Sequence, residues 1–214
     1  AEETQSLKEY KHFKDIMNSG TPIVMFDRVA DDINCDKVVV DDFDSAYDAT
    51  SHLIKLGSKK IALLSTIQNL SVGKLRLDGY KKALSDANMS IDENLIIQET
   101  SIEDFDVQLQ QLISSKKMDA IFALDEHSST MTMRMALKQG IKIPEELNII
   151  GFADGVWSRR LTPSLSTVSQ HAPEIGAKAA ELLIHKLNSK DEFYQPKTVV
   201  IKTELRQRES TRKL

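Results

Sequence analysis

Short runs of wholly apolar residues recur along the chain, each closed by polar or glycine punctuation, and they limit the fold more than any other feature. They are Pro22-Ile23-Val24-Met25-Phe26, Lys37-Val38-Val39-Val40, Ile61-Ala62-Leu63-Leu64, Leu95-Ile96-Ile97, Ala120-Ile121-Phe122-Ala123-Leu124 and Asn148-Ile149-Ile150-Gly151-Phe152. A strand with one wet face alternates apolar and polar residues; runs without alternation are strands buried on both faces. Between most of them lie stretches with helical spacing. Ala46, Ala49, His52, Leu53 and Leu56 form a stripe ending at Gly57; Leu77, Tyr80 and Leu84 form another after Gly73; Leu109, Leu112 and Ile113 form a third; Met131, Met133 and Met135 mark a fourth, ending at Gly140. Parallel neighbours need a covering helix between them, so the alternation predicts an α/β fold of doubly wound parallel sheets. The tail breaks the rhythm: Thr162 to Ser169 reads as extended, then a helix from Pro173 to Asn188 and a last strand from Thr198 to Lys202.

The 214 residues carry 28 Lys+Arg against 32 Asp+Glu, a net charge of -4. That balance argues against duplex-DNA binding by this chain itself, because neutralising a phosphate backbone needs a basic excess. The single cysteine, Cys35, excludes an internal disulfide framework and a thiolate zinc cluster and is expected to be a free thiol. No apolar run approaches the length of a membrane span, and Ala1 to Ser6 have no signal-peptide pattern.

Ligands of open α/β sheets bind beyond the carboxyl ends of the strands. The residues there are polar: Asp27-Arg28, Ser65-Thr66, Gln98-Glu99, Asp125-Glu126 and Asp154. Each could cap the following helix; as a set they point to a ligand rim. Arg76, after Gly73, falls off the Leu77/Tyr80/Leu84 stripe in a first helical turn. Its planar guanidinium suits hydroxyl or carboxylate oxygens, and its replacement is expected to leave folding little affected. Phosphate-loop, nucleophile-elbow, HExxH and GxGxxG patterns are all missing. Asp125-Glu126-His127 point in different directions at a helix start, and Asp41-Asp42-Phe43-Asp44 reads as a helix N-terminus with favourable dipole charges rather than a calcium loop. Neither an enzyme, a metal nor a cofactor is expected.

Taken in order, Gly20 to Arg28, Val40-Asp41-Asp42 into Ala49 to Gly57, Lys60-Ile61-Ala62, Arg76 to Tyr80, Phe122 to Glu126, Gly140 to Pro144, Ile149 to Phe152, Pro163 to Gln170 and Arg208 to Thr211 resemble the effector-binding domain of LacI/GalR-family transcription regulators. The resemblance implies a two-lobed, periplasmic-binding-protein-like fold holding a small molecule, usually a sugar or nucleobase, between lobes. It further implies a cytoplasmic homodimer that reaches operator DNA through an N-terminal helix-turn-helix headpiece absent from this chain, whose N-terminal lobe is incomplete. The lobes map to residues 1–40 plus 169–194 and to 41–168 plus 195–214. By matching position, Asp27, Arg76, Asp125 and Gln170 are the expected ligand residues. The family's usual first acidic position after Gly151-Phe152 is Ala153 here, leaving Asp154 as its substitute. A periplasmic sugar-binding protein of a transport system is the alternative with the same fold.

Overall fold

The computed structural model describes residues 10–152, 154–189 and 194–213; Ala153 and the part of the first lobe before Tyr10 lie outside the described residues. In chain order the elements are α1 (Lys11–Asn18), β1 (Val24–Phe26), β2 (Asp36–Val40), α2 (Asp42–Lys55), β3 (Ile61–Ser65), α3 (Ser71–Asp86), β4 (Ile96–Gln98), α4 (Ile102–Ser115), β5 (Ala120–Ala123), α5 (Glu126–Lys138), β6 (Asn148–Gly151), α6 (Val156–Arg160), β7 (Ser166–Ser169), α7 (Ala172–Asn188), β8 (Thr198–Ile201) and β9 (Glu204–Arg206). They form two compact units. One takes in the described residues through Asp41, Asn69–Ser71 and Gln170–Thr203; the other takes in Asp42–Gln68, Val72–Ser169 and the described residues from Glu204 onward.

The first unit has a parallel sheet ordered β1-β2-β8, with Val38 beside Val199 and Val40 beside Ile201. Val38, Val40 and Ile201 pack with Ile175, Ala179 and Leu182, which recur every three or four residues and so form one face of α7. Pro173 sits in that helix's first turn, where its missing N–H costs nothing. A second cluster gathers Tyr10, Ala30, Ile33 and Cys35, whose thiol is buried and free and is pushed above its ordinary pKa by that burial. The pairing of β8 with β2 corrects one sequence expectation: the strand beginning at Thr198 belongs to the first unit and not to the C-terminal lobe. The chain then returns as β9, a strand too short and too polar for an apolar-run reading to find.

The second unit is a six-stranded sheet ordered β4-β3-β5-β6-β7-β9, parallel throughout except for β9 against β7. Alternate residues explain the unbroken apolar runs. Ala62, Leu64, Ile121 and Ile149 pack with Phe105, Leu109 and Ile113 of α4 on one face. Ile61, Leu63, Phe122 and Ile150 pack with Ala46, Ala49 and Leu53 of α2 and Tyr80 and Leu84 of α3 on the other. Both faces are covered, so neither can be polar. Met133 is fully buried and Met131 and Met135 lie against the same core, which accounts for the methionine stripe as packing. Helices α2 and α3 come close together: a Cβ on Gly79 would lie 2.3 Å from the Phe43 carbonyl oxygen. Only glycine allows that approach.

Candidate functional site

The carboxyl edge of the second unit's sheet gathers the polar residues, and each owes its place to a strand end or helix start. Arg76 lies in the second turn of α3. It is buried, and this corrects the expectation of a side chain outside the core. The inward face of α3 runs Val72, Gly73, Arg76, Gly79, Tyr80, Ala83, Leu84, a regular three-and-four spacing that includes the arginine. Its Nε donates to Asp42 Oδ1 at 2.7 Å, and its Nη1 donates to the Leu124 carbonyl at 2.7 Å. The guanidinium lies over the Phe152 ring, 3.4 Å from the centroid, a cation–π contact strengthened by the burial of both side chains. Asp42 and Arg76 side chains are 2% and 3% exposed. Asp42 is in the first turn of α2, where the helix dipole favours an anion.

Asp125 follows β5 as the N-cap of α5. Its Oδ1 accepts from the Ser128 N–H at 2.8 Å, and its Oδ2 accepts from the Thr66 N–H at 2.9 Å. Ser128 Oγ in turn accepts from the Asp125 N–H, closing a capping box. The carboxylate thus joins the loop after β3 to the end of β5. Asp154 follows β6 and is 8% exposed. It accepts from Arg208 Nη2 at 2.5 Å, from Thr167 Oγ1 at 3.0 Å and from Arg206. Burial alone would push this carboxyl up; the Arg208 and Thr167 hydrogen bonds and the two guanidinium charges outweigh it and hold the pKa below the ordinary carboxylate value.

Three of the sequence-derived residues therefore meet around neighbouring strand ends: Arg76 bonds the residue before Asp125 and stacks on Phe152, two positions before Asp154. Asp27 and Gln170 belong to the first unit. Asp27 closes β1 in the left-handed region (φ 59°), its N–H donating to the Val38 carbonyl, and Gln170 leads into α7. Sequence reasoning missed Asp42 as the partner of Arg76, and missed Arg206 and Arg208 as the partners of Asp154. The dense acid at Asp41-Asp42-Phe43-Asp44 was the available signal for the first; for the second there was none, because the partners are separated by more than fifty residues.

The arrangement is a set of polar side chains committed to one another at the edge of a parallel sheet, in an α/β fold of two units. Residues 50–211 match the periplasmic binding protein-like domain, and the chain belongs to that family in the form carried by LacI-family transcription regulators. It is 32% identical over 178 residues to the ribose operon repressor of Haemophilus influenzae, a match that covers 81% of this chain and 53% of that protein. It is 28% identical over 202 residues to the HTH-type transcriptional repressor PurR of Actinobacillus pleuropneumoniae serotype 3, covering 92% and 59%. Among solved structures, the complex of the transcriptional regulator CelR with cellobiose is 26% identical with a TM-score of 0.81, over 91% of this chain and 60% of that one. The chain thus spans between about half and three fifths of the length of these three proteins. Among the described residues no helix is long and apolar enough to cross a membrane.

Proposed function

We propose that these residues form the effector-binding and dimerisation part of a LacI-type transcription regulator of the cytoplasm, which does no chemistry on its ligand. The effector is a sugar, and operator DNA is contacted by the whole protein's helix-turn-helix headpiece. One observation carries the reading: in a chain of this family, three adjacent βα junctions of one parallel sheet each fix a polar side chain at the edge where such sheets take ligands. Arg76, Asp125 and Asp154 are those side chains. The ribose and cellobiose in the names of two similar proteins favour a sugar. The net charge of -4 leaves DNA contact to the headpiece.

Calorimetric titration of the chain with a panel of pentoses, hexoses, disaccharides and purine bases tests this. Saturable binding of one sugar is the expected outcome. Binding of a purine base alone would replace the sugar by a nucleobase, and a panel without any binder would count against an effector domain. Light scattering on the whole regulator is expected to give a dimer, as two-fold operator reading requires.

A further inference from the structure

The Arg76 side chain brings a full positive charge to the edge, yet the structure cancels it at once. Asp42 lies 2.7 Å from Nε, both side chains are almost fully buried, and the Leu124 carbonyl takes a second N–H. Arg206 and Arg208 are balanced by two carboxylates, Asp154 between them and Glu204 beside Arg206. The loops that follow the second unit's strands add only acids. Thr66-Ile67-Gln68, Glu99-Thr100-Ser101, Asp125-Glu126 and Asp154-Gly155 contain four carboxylates and not one lysine or arginine. Lys74 is exposed on α3, two residues from Arg76 and so about 200° around the helix from the buried face. An anionic effector would find no surplus positive charge here, and would have to pull Arg76 from a partner that desolvation has made costly to lose.

Building on the reading proposed above, we infer that Asp42 is a specificity-determining, positioning residue: it holds the Arg76 guanidinium in one orientation and cancels its charge, so the edge takes a neutral, hydroxyl-rich effector and rejects phosphorylated counterparts. Selectivity against an anion comes from the pair and not from the loops alone.

The test is calorimetric titration of the chain with D-ribose and cellobiose on one arm and D-ribose 5-phosphate and inorganic phosphate on the other, at matched ionic strength. The wild type, Asp42→Asn and Asp42→Glu are compared. One neutral sugar is expected to bind the wild type at least about tenfold more tightly than either phosphate probe. Asp42→Asn should narrow or reverse that ratio, and Asp42→Glu should restore most of it. A purely structural role would lower every affinity together and leave the ratio untouched, which overturns the inference. A wild type that binds a phosphate probe as tightly as a neutral sugar also overturns it, while leaving the effector-binding reading intact. If neither sugar binds, that reading fails for these probes and the phosphate arm decides: a wild type indifferent to phosphate beside a responsive Asp42→Asn upholds the inference, and any other pattern overturns it. Should Asp42→Asn not fold, the wild-type titrations decide alone, with a neutral preference, or indifference to phosphate where no sugar binds, upholding it and a phosphate response equal to or above the sugar's overturning it.

Discussion

Two carboxylate–guanidinium clusters sit in the second unit, and burial sets them apart. Asp42 and Arg76 are almost fully buried; a short hydrogen bond joins them, and a carbonyl and an aromatic ring also lie against the guanidinium. Asp154 is nearly buried too, but its partners are not: Arg206 is 38% exposed and Arg208 14%, and Arg206 also pairs with Glu204. A buried pair cannot lose one member cheaply, because the survivor keeps its charge without water to solvate it. The wetter cluster can fall back on solvent. The first acts as a rigid fixture of the core, the second as a clasp that ties β9 and the segment after it to the end of β6.

The largest effect should come from breaking the buried pair. Arg76→Ala or Asp42→Ala is expected to cost about 3–5 kcal/mol of stability in urea unfolding, while replacing both by apolar residues should cost less than either single change. A loss under 1 kcal/mol for the single changes would mean that water reaches the pair. Asp154→Asn should cost less, about 1–2 kcal/mol near neutral pH, with the part-exposed arginines resolvated. Its pH dependence has a definite sign. The folded pKa of Asp154 is depressed, so the stabilisation is complete above the unfolded value near ~3.9 and disappears as pH falls through the lower folded value. Wild type and Asp154→Asn should therefore differ by a constant amount above about pH 5 and converge in acid; a gap that persists in acid would contradict the clasp.

Asp125→Ala tests a carboxylate of a third kind, one that accepts from the backbone N–H groups of Thr66 and Ser128. It should cost about 1 kcal/mol, the usual value of an N-cap, with local loosening near Thr66 visible as faster amide exchange. Arg206→Ala should be smallest, about 0.2–1 kcal/mol, since Arg208 stays on Asp154. If its cost matches that of Asp154→Asn, the two arginines act as one unit.

Most of the sheet was legible in the sequence because its strands are buried on both faces, and that leaves an apolar run with nothing to disguise it. Strand β9 escaped because Glu204-Leu205-Arg206 is three residues long, lies at a sheet edge and is polar. The rim residues were legible as a set, since strand ends must carry polar groups somewhere. Their pairings were not. Arg76 was placed on the wrong side of α3 because an apolar stripe was sought, and a buried charge is invisible to such a search; counted by position, it falls four residues before Tyr80 on the same face. Asp42 supplies the reason the charge can be there, and that reason lies 34 residues away. Helix capping by Asp125 was an open alternative at the sequence level, and the structure shows the capping bonds in place.

Hydrogen exchange of the chain with and without a bound sugar asks most directly whether the carboxyl edge of the second unit's sheet holds the effector. Slowed exchange should concentrate at Thr66 to Gln68, Asp125 to Ser128 and Asp154 to Ser158, with β4 to β7 unchanged behind them. Sugar binding that leaves those amides untouched would contradict the assignment of the site.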